Sequence, residues 1–518
     1  MFVIAFDSTV PAEKASISMG LGPGVVMAAL SFQELQARLT ADVEDESSGS
    51  HPWDVLVVPS LNLDAKQIAL VTGAHHYEER QLFELIRLRQ PRARMVFVTS
   101  KLLPELVVDA VLELLPGVPI SHARQRLKLF DTDDASPRPL AAKLLERPRL
   151  LQRIRDSLHP ERSFISCFNV GQLEHDLSQA LQLPLLGSDP ALSYWGSKAG
   201  SRELFQRCGL NHPDGSQLVH SFHDLVEAAV ALVQRNPKLQ RLVVKLNEGF
   251  SGEGNAPLDL HGLSLEQNSG LEQFQKLEEA LAQLVMPAAD WQELLKAQGG
   301  LVEAWLSGGE ALRSPSVQGK IHPGGQVEVL STHEQHLGGP TGQTYLGCQF
   351  PAHQAYRLEL QRWGHAVGQQ LAQLGALDHF SVDGIARRFG ERWDLQAIEV
   401  NLRKGGTTHP MQALRYLSNG ALDQQTGEFL SPQGSALHYR ATDNFTDGRL
   451  QGLLPMDLID LVAGAGMHYD PVSESGSVFH LLGCLSEHGK LGMTCIDRSA
   501  EQAEQVFQRT QARLLQQS

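Results

Sequence analysis

The sequence predicts a mixed α/β protein built from three parts. Residues 1–195 alternate short apolar runs with amphipathic segments, which is the pattern of a parallel sheet covered by helices. Residues 196–415 combine long amphipathic helices with strands that carry polar side chains, which indicates a central α+β domain. Residues 416–518 end in a predicted hairpin and a helix rich in Glu and Gln, which indicates a small C-terminal α+β domain.

The elements of the first part follow from its hydrophobic pattern. Four apolar runs are predicted to be strands: Phe2–Phe6, Val55–Val58, Arg94–Thr99 and Phe164–Asn169. Three segments are predicted to be helices: Ser31–Leu39, Gln81–Leu88 and Leu140–Leu158. The polar stretch Asp131–Pro139 is predicted to be a surface connection within this domain.

The other two parts give clear elements as well. Two apolar stripes at helical spacing predict two long central helices: Leu225, Val226, Ala229, Leu232 and Val233, then Phe274, Leu277, Leu281 and Leu284. In the tail, Ser477–Asp497 holds two apolar runs around a Ser-Glu-His-Gly-Lys turn, which predicts a hairpin. The cluster His75, His76, Glu78 and Glu79 is predicted to be a solvated helix face and not a metal site.

Composition excludes several classes of protein. The chain has 518 residues, 42% hydrophobic and 20% charged, as in ordinary globular proteins. Its net charge of −15 argues against a nucleic-acid partner, which would require a basic face. The five cysteines form no CxxC pair, and no apolar run approaches the length of a membrane span. We therefore expect a cytoplasmic protein that binds neither membrane nor nucleic acid; homo-oligomerisation stays open.

Three oxygen-bearing side chains stand at alternate positions of two neighbouring predicted strands. Asp383 lies on the first strand, and Glu399 and Asn401 lie on the second. Because side chains alternate between the faces of a sheet, these oxygens are expected to point toward one spot. Two carboxylates and an amide carbonyl suit Mg²⁺ held against phosphates. Arg403, Lys404 and a Gly-Gly-Thr-Thr loop follow, and they offer cations and N–H donors to anions.

The Glu-x-Asn pattern with its basic, Gly-rich loop resembles the ATP-grasp superfamily of carboxylate–amine ligases. The segment from Glu399 to Pro410, EVNLRKGGTTHP, is most similar to the PGM1-type peptide ligases. Other family segments lie upstream in the same order: Ser197–Leu210, Arg241–Ala256 and Leu301–Glu310. The resemblance covers about two-fifths of the chain. It implies an N-terminal parallel α/β pre-ATP-grasp domain (1–195), a central ATP-grasp domain (196–415) and a small C-terminal domain (416–518).

The resemblance also assigns roles to residues. It implies ATP as cofactor together with Mg²⁺, or Mn²⁺ in its place, held by Asp383, Glu399 and Asn401. Lys198 and Lys245 would contact ATP, and Glu310 would contact its ribose. Arg202 stands where some members of the family carry a second basic residue. The flexible phosphate loop would include Gly249, Ser251, Gly252 and Gly254. The hinge that reads the adenine edge would be Glu303, Ala304, Trp305 and Leu306.

One position departs from the family pattern. Relatives such as D-alanine ligases carry an arginine two residues before the first metal aspartate, where this chain has Ser381. Either Arg403, Lys404 or Arg313 supplies the missing charge and acts in catalysis, or the substrate arrangement differs from that of these relatives. Further candidates for the acceptor pocket are Gln318, His333 and Glu334. His409 is expected either to bind a substrate carboxylate or to cap the following helix.

The predicted activity is ATP-dependent formation of an amide bond between a small-molecule carboxylate and an amine, such as an amino acid or peptide. The family mechanism proceeds through an acyl phosphate and releases ADP and phosphate. Two alternatives stay open: another ATP-grasp chemistry, such as carboxylation or phosphorylation, and a non-catalytic ATP-binding regulator.

Overall fold

The fold is known from a computed structural model. It describes residues 29–40, 43, 53–61, 68, 71–249, 254–263, 270–285, 290–338 and 344–516. The predicted strand Phe2–Phe6 lies outside the described residues. The phosphate-loop positions Ser251 and Gly252 also lie outside them.

A five-stranded parallel sheet forms the N-terminal part. Its strand order is β3-β2-β1-β4-β5. The strands are β1 (Asp54–Val58), β2 (Met95–Thr99), β3 (Leu127–Asp131), β4 (Ser163–Cys167) and β5 (Leu185–Leu186). The α-helices are Phe32–Gln36, Glu105–Leu112, Ile120–Gln125, Leu140–Leu145, Pro148–Arg155 and Gln172–Leu181, and Ala74–Arg89 is a 3-10 helix.

The parallel sheet confirms the predicted α/β pattern and three of its predicted strands. β3 was not predicted, because Leu127 is its one buried residue and its apolar run is short. The helix predicted over 140–158 is divided in two, since Pro148 cannot continue the hydrogen-bond ladder of the first helix. Phe97, Phe164 and Leu177 are fully buried against the helices on both faces of the sheet.

A three-stranded antiparallel sheet begins the central part. Its order is β7-β6-β8, with β6 (Arg241–Leu246), β7 (Asn255–Asp259) and β8 (Gly300–Ala304). Four helices accompany it: Lys198–Cys208, Phe222–Arg235, Gly270–Val285 and Trp291–Gln298. The predicted stripe of the Phe222–Arg235 helix is buried throughout, so this helix is confirmed. A 3-10 helix, Pro190–Gly196, leads into this part.

The largest sheet has ten strands and carries most of the polar strand residues. Its main path is β13-β12-β9-β10-β11-β16-β15-β14, and β18 pairs with both β16 and β17. The strands are β9 (Ala311–Ile321), β10 (Val327–Gly338), β11 (Thr344–Phe350), β12 (Asp378–Phe389), β13 (Arg392–Asn401), β14 (Ala421–Leu422), β15 (Phe429–Leu430), β16 (Ala436–Thr446), β17 (Gly476–His480) and β18 (Lys490–Asp497). The helices Arg357–Gln373 and Thr408–Ser418 accompany it.

The C-terminal residues share both a sheet and a core with the rest of the chain. β17 and β18 form the predicted antiparallel hairpin, but the predicted turn was wrong, because Gly483–His488 is a helix between them. The remaining helices are Pro455–Gly464 and Ala500–Gln516, with a 3-10 turn at Gly448–Leu450. Leu458 and Val506 belong to the hydrophobic cluster that contains Phe97 of β2. The C-terminal part therefore packs directly against the parallel sheet.

The five cysteines are all free thiols. None of the described helices is both long enough and apolar enough to cross a membrane.

Candidate active site

The predicted metal trio lies on one face of the β12–β13 pair. Asp383 is directly opposite Glu399, and Ser381 is directly opposite Asn401. The register shifts between the Asp383–Glu399 and Gly384–Ala397 pairs, where β13 has one extra residue, Ile398, as in a β-bulge. Asn401 Nδ2 donates to Asp383 Oδ2 at 3.1 Å, so the structure brings the three side chains together. Their role as metal ligands stays a prediction.

The two facing carboxylates repel each other. Burial, with the charge of Glu399 added to it, raises the pKa of Asp383 to about 7. Arg403 and hydrogen bonds from Gln335 and Asn401 oppose this rise without cancelling it. The two carboxylates and the amide oxygen of Asn401 are hard donors of the kind that a divalent cation binds.

Arg403 completes this corner of the site. Its Nη2 donates to Asn401 Oδ1 at 2.9 Å, and its Nη1 donates to the carbonyl of Lys404 at 3.2 Å. Burial lowers the pKa of Arg403, while the charges of Glu399 and Asp383 act in the opposite direction. Because Asn401 is opposite Ser381, the guanidinium lies beside the position where relatives carry their arginine.

Gln335 is a site residue that the sequence did not single out. Its Nε2 donates to Asp383 Oδ1 at 2.8 Å from β10, two strands away from β12. A glutamine in a polar strand gives no signal of its own, and only the sheet order reveals the contact.

A buried ion-pair network lies on the small sheet. Lys245 Nζ is 2.5 Å from Glu303 Oε2, and Arg202 Nη1 is 2.8 Å from Glu303 Oε1. Burial alone would raise the pKa of Glu303, but Lys245 and Arg202 lower it below its usual value. Gly215 gives the network room, since a Cβ there would lie 3.0 Å from Glu303 Cγ. Two cations thus face one carboxylate where the sequence predicts the ATP phosphates.

Lys198 lies at the start of its helix between the two clusters. Ser197 caps this helix by accepting the N–H of Gly200 at 3.2 Å. The backbone of Asn247, directly after β6, accepts the N–H of Lys198 at 3.2 Å, and its side chain accepts that of Ala199 at 3.0 Å. Lys198 Nζ reaches to 3.6 Å from Glu399 Oε1. The lysine therefore connects the small sheet to the metal trio.

The predicted hinge follows β8, and only some of its backbone N–H groups donate hydrogen bonds within the protein. The N–H of Ala304 donates to the carbonyl of Asp214 at 2.8 Å, and that of Trp305 donates to the carbonyl of Arg241 at 3.1 Å. Among the described residues, the N–H of Leu306 has no protein acceptor. This segment can therefore offer one free donor to the edge of a planar base.

Glu310 lies on the exposed turn after the hinge. Its Oε2 is 3.2 Å from Arg388 Nη2, and its Oε1 accepts the N–H of Gly390 at 3.3 Å. Of the phosphate-loop glycines, Gly249 follows β6 and Gly254 precedes β7. Gly254 adopts a φ of 79°, a left-handed conformation that favours glycine. Their contacts with ATP, like that of Glu310, stay predictions.

Lys404 and Arg313 are not with the trio. Lys404 is 2% exposed, and its Nζ donates to Asp378 Oδ2 at 2.9 Å and to the carbonyl of Cys167 at 2.7 Å. It thereby holds the end of β4 against the start of β12. Arg313 lies opposite Ala386 on the other face of β9, with its guanidinium 5.5 Å from the ring centre of Trp393. Arg403 is the candidate whose charge reaches the trio.

The remaining candidates for the acceptor pocket are each bound to other parts of the protein. Gln318 accepts from Thr408 at 3.1 Å and donates to Thr407, so it holds the Gly-Gly-Thr-Thr loop. His333 is fully buried with its Nε2 2.6 Å from the hydroxyl of Tyr439, and Glu334 accepts from Tyr356. His409 lies in the Thr408–Ser418 helix, where its Nε2 is 2.9 Å from His480 Nε2.

One prediction about the N-terminal part was wrong. Glu78 and Glu79 do not form a solvated face, because they are 6% and 3% exposed. Glu78 accepts from both the N–H and the hydroxyl of Ser100, and Glu79 accepts the N–H of Gly483. Helical periodicity could not show this, since the burial comes from distant segments. His75 and His76 approach Glu487 closely enough to bind a metal ion together.

The domain comparisons agree with this geometry. Residues 190–286 and 287–425 match the family model described as IQCH-like, ATP-grasp. The chain has an ATP-grasp domain. Residues 457–510 match the model described as PGM1 C-terminal domain. Together the two matches confirm the predicted resemblance to the PGM1 type within the ATP-grasp proteins.

Two curated relatives align with most of this chain. L-propargylglycine–L-glutamate ligase from Streptantibioticus cattleyicolor is 28% identical over 468 residues, which cover 89% of this chain and 93% of the relative. IQ motif-containing protein H from Danio rerio is 23% identical over 506 residues, which cover 88% of this chain and 48% of the relative.

Solved structures show the same fold. Biotin carboxylase from Campylobacter jejuni has a TM-score of 0.53 at 11% identity, with 89% of this chain and 94% of that chain covered. The biotin carboxylase domain of 2-oxoglutarate carboxylase from Hydrogenobacter thermophilus, solved with MgADP, ADP and bicarbonate, has a TM-score of 0.50 at 14% identity. The coverage there is 89% of this chain and 90% of that chain. The predicted α/β architecture with an ATP-grasp core is confirmed.

Proposed function

We propose that this protein is an ATP-dependent ligase that joins a carboxylate to an amine through an acyl phosphate, with release of ADP and phosphate. The observation that carries the proposal is the position of Lys198 between two clusters, one with more cationic groups and one with more carboxylates. The cluster of Lys245, Arg202 and Glu303 suits an ATP polyphosphate. The cluster of Asp383, Glu399 and Asn401 suits a divalent cation.

The chemistry divides between the substrates and the protein. The γ-phosphoryl group passes from ATP to a carboxylate oxygen, which leaves ADP and an acyl phosphate. The amine nitrogen then attacks the acyl carbon, the C–O bond to phosphate breaks, and the nitrogen loses a proton. No covalent nucleophile of the protein is required, so its contribution is orientation and charge stabilisation.

Mg²⁺ is the proposed metal, with Mn²⁺ as a substitute. The oxygen-only donor set fits a hard cation, and a bound cation would offset the burial and the charge of Glu399 that raise the pKa of Asp383. Asp383, Glu399 and Asn401 would hold it, and it would supply charge neutralisation between phosphate oxygens. Arg403 would stabilise negative charge that develops on the transferred phosphoryl group and on the acyl phosphate.

The ATP contacts are proposed from the same arrangement. Lys245 and Lys198 would bind phosphate oxygens, and the N–H of Leu306 would donate to the adenine. Gly249 and Gly254 frame the loop between β6 and β7 that would cover the phosphates.

The proposed substrates are amino acids or short peptides. The support is the relative of 28% identity, whose name gives L-propargylglycine and L-glutamate as its substrates. We propose action in the cytoplasm, to which five unpaired thiols are suited.

Hydroxylamine trapping tests the ligase proposal. The protein is incubated with ATP, Mg²⁺, hydroxylamine and, in turn, each of the twenty L-amino acids and a set of dipeptides, without a second substrate. A ligase forms a hydroxamate and ADP in equal amounts with its own carboxylate substrate. ATP binding without any hydroxamate or ADP, across amino acids and dipeptides, would favour a regulator.

A further inference from the structure

A second cationic cluster lies next to the proposed catalytic site, and no role has been assigned to it. We call Tyr77, Arg80, Phe168, Asp443 and Lys490 the Arg80 cluster. Arg80 Nη1 is 2.9 Å from Asp443 Oδ2, and its guanidinium lies 4.4 Å from the ring centre of Tyr77 and 5.0 Å from that of Phe168. Lys490 Nζ lies 4.9 Å from the same Tyr77 ring centre. Two cations and one carboxylate are thus enclosed between aromatic faces.

The positive charge of the Arg80 cluster is not balanced by the protein. Arg80 has a side chain 10% exposed, and its buried Nε has no hydrogen-bond acceptor among the described residues. Lys490 is 6% exposed, and no carboxylate of the described chain lies within ion-pair distance of its Nζ. Leaving a buried cation unpaired is unfavourable, and this chain has an excess of acidic residues elsewhere. The excess of positive charge in the Arg80 cluster suits the binding of an anionic ligand.

The neighbouring histidines do not supply that anion or compete for it. His409 and His480 share one hydrogen bond between their Nε2 atoms, so one ring donates and the other accepts. Burial lowers the pKa of both rings, and Arg80 lowers it further, so both are neutral at pH 7. His409 Nδ1 is buried and has no protein partner among the described residues. The two histidines therefore place neutral polar groups beside the Arg80 cluster.

The position of the Arg80 cluster connects it to the metal trio. Phe168 follows β4, and its carbonyl accepts the N–H of Lys404 at 3.1 Å, directly beside Arg403. The charge of Arg80 is close enough to act on the pKa of Arg403. β4 lies next to β1, while the chain runs from β1 outward to β2 and β3. Open parallel sheets bind ligands at the carboxyl ends of strands at such a reversal.

We propose that the Arg80 cluster binds the carboxylate of the amine substrate, so that this substrate is an amino acid or a peptide and not a simple amine. The inference rests on the proposed ligase function. The carboxylate that reacts must lie at the trio, where phosphoryl transfer takes place. A separate anion site close to Arg403 suits the carboxylate that does not react. Arg80 and Lys490 bind it, and Asp443 fixes the direction of the guanidinium.

Three variants test this assignment: Arg80→Gln, Lys490→Gln and, as a control, Arg357→Gln. Arg357 is a similarly buried arginine that pairs with Glu428 at 2.8 Å, remote from the cluster. ADP release is measured with ATP and pairs of the twenty L-amino acids, in which the amine substrate is offered as the free acid or as its carboxamide. The Lys490 variant keeps the test valid if loss of the Arg80–Asp443 pair prevents folding.

The parent and the Arg357 variant are expected to prefer the free acid about tenfold or more in kcat/KM, which corresponds to one charge-assisted contact. In the Arg80 and Lys490 variants, KM for the free acid rises about tenfold and the preference disappears, while KM for ATP is unchanged. A folded variant that keeps the preference, or a parent that uses carboxamides equally well, overturns the assignment.

A binding measurement separates this site from the proposed activity. If the parent releases no ADP with any pair, the melting temperature is measured with each amino acid and a non-hydrolysable ATP analogue. Stabilisation of the parent that is lost in both cluster variants upholds the site, although the ligase proposal has failed. Absence of stabilisation by every amino acid overturns the site as well.

Discussion

Lys198 Nζ lies 3.6 Å from Glu399 Oε1, and this contact joins two clusters that come from different sheets. The helix that begins at Lys198 is also bound at its first turn to Asn247, directly after the strand of Lys245. A displacement of that helix would therefore change the nucleotide cluster and the metal trio together.

The first prediction concerns Glu399. Glu399→Gln keeps the side-chain shape but removes one negative charge from the proposed metal site. ADP formation is expected to fall by about a hundredfold or more, since charge stabilisation of phosphoryl transfer is lost. Steady-state ADP release at saturating ATP and Mg²⁺ measures this, and the melting temperature verifies folding.

Glu428→Gln is the matched control, because Glu428 also pairs with a basic residue but lies outside the site. Turnover of Glu399→Gln close to that of Glu428→Gln would remove Glu399 from the proposed metal ligands.

The second prediction concerns the ion pair of Lys245 and Glu303. Lys245→Met leaves Glu303 paired with Arg202, a balanced buried ion pair, so the variant is expected to fold with a modest loss of stability. Adding Glu303→Gln leaves Arg202 as a buried cation without its carboxylate, so the double variant should be less stable than the single one. Neither variant should regain the rise in melting temperature that Mg-ATP gives the parent.

Thermal melts with and without Mg-ATP separate the two effects of Lys245. A double variant that ATP stabilises as much as it stabilises the parent would show that Lys245 serves the sheet alone.

The sequence predicted side-chain placement where that placement is encoded locally. Strand alternation and the Glu-x-Asn pattern predicted that Asp383, Glu399 and Asn401 share one face, and the structure brings them together. The Lys198 helix and the Lys245 strand were predicted from short segments that resemble the family, and both elements are present. These features depend on neighbours within a few residues along the chain.

The remainder depends on contacts between distant segments. Gln335 reaches Asp383 across 48 positions, and Arg80 reaches Asp443 across 363. Adjacent residues also diverge, since Arg403 is directed to the trio and Lys404 to Asp378. Periodicity cannot distinguish such neighbours, because the partner that decides each orientation comes from another sheet.

The third prediction distinguishes Arg403 from Lys404. Lys404→Met leaves Asp378 without its nearest cation, in a place where Lys404 holds the pKa of that carboxyl well below its usual value despite burial. The expected loss is about 3–5 kcal/mol of unfolding free energy, typical of a broken buried pair. Arg403→Met should lower ADP formation much more than it lowers stability.

Urea unfolding and ADP release at a temperature where both variants are folded give the comparison. The reverse order, with Lys404→Met stable but inactive, would assign the catalytic charge to Lys404.

The fourth prediction follows from the pKa of Asp383, which burial and Glu399 raise to about 7 from an ordinary 3.8. A carboxyl with a raised pKa binds its proton more tightly in the folded state, so its ionisation destabilises the fold. This cost is absent below pH 4, grows between pH 4 and pH 7, and is constant above pH 7. Asp383→Asn cannot ionise and avoids it. With EDTA present, the melting temperature of the variant relative to the parent should therefore rise from pH 4 to pH 7 and then level off, although the variant has lost ADP formation.

Addition of Mg²⁺ at pH 8 should stabilise the parent more than the variant, because the cation neutralises the facing carboxylates. If the difference in melting temperature between the variant and the parent stays constant from pH 4 to pH 8, the ionisation of Asp383 does not destabilise the fold. That result would weaken the assignment of Asp383 as a metal ligand.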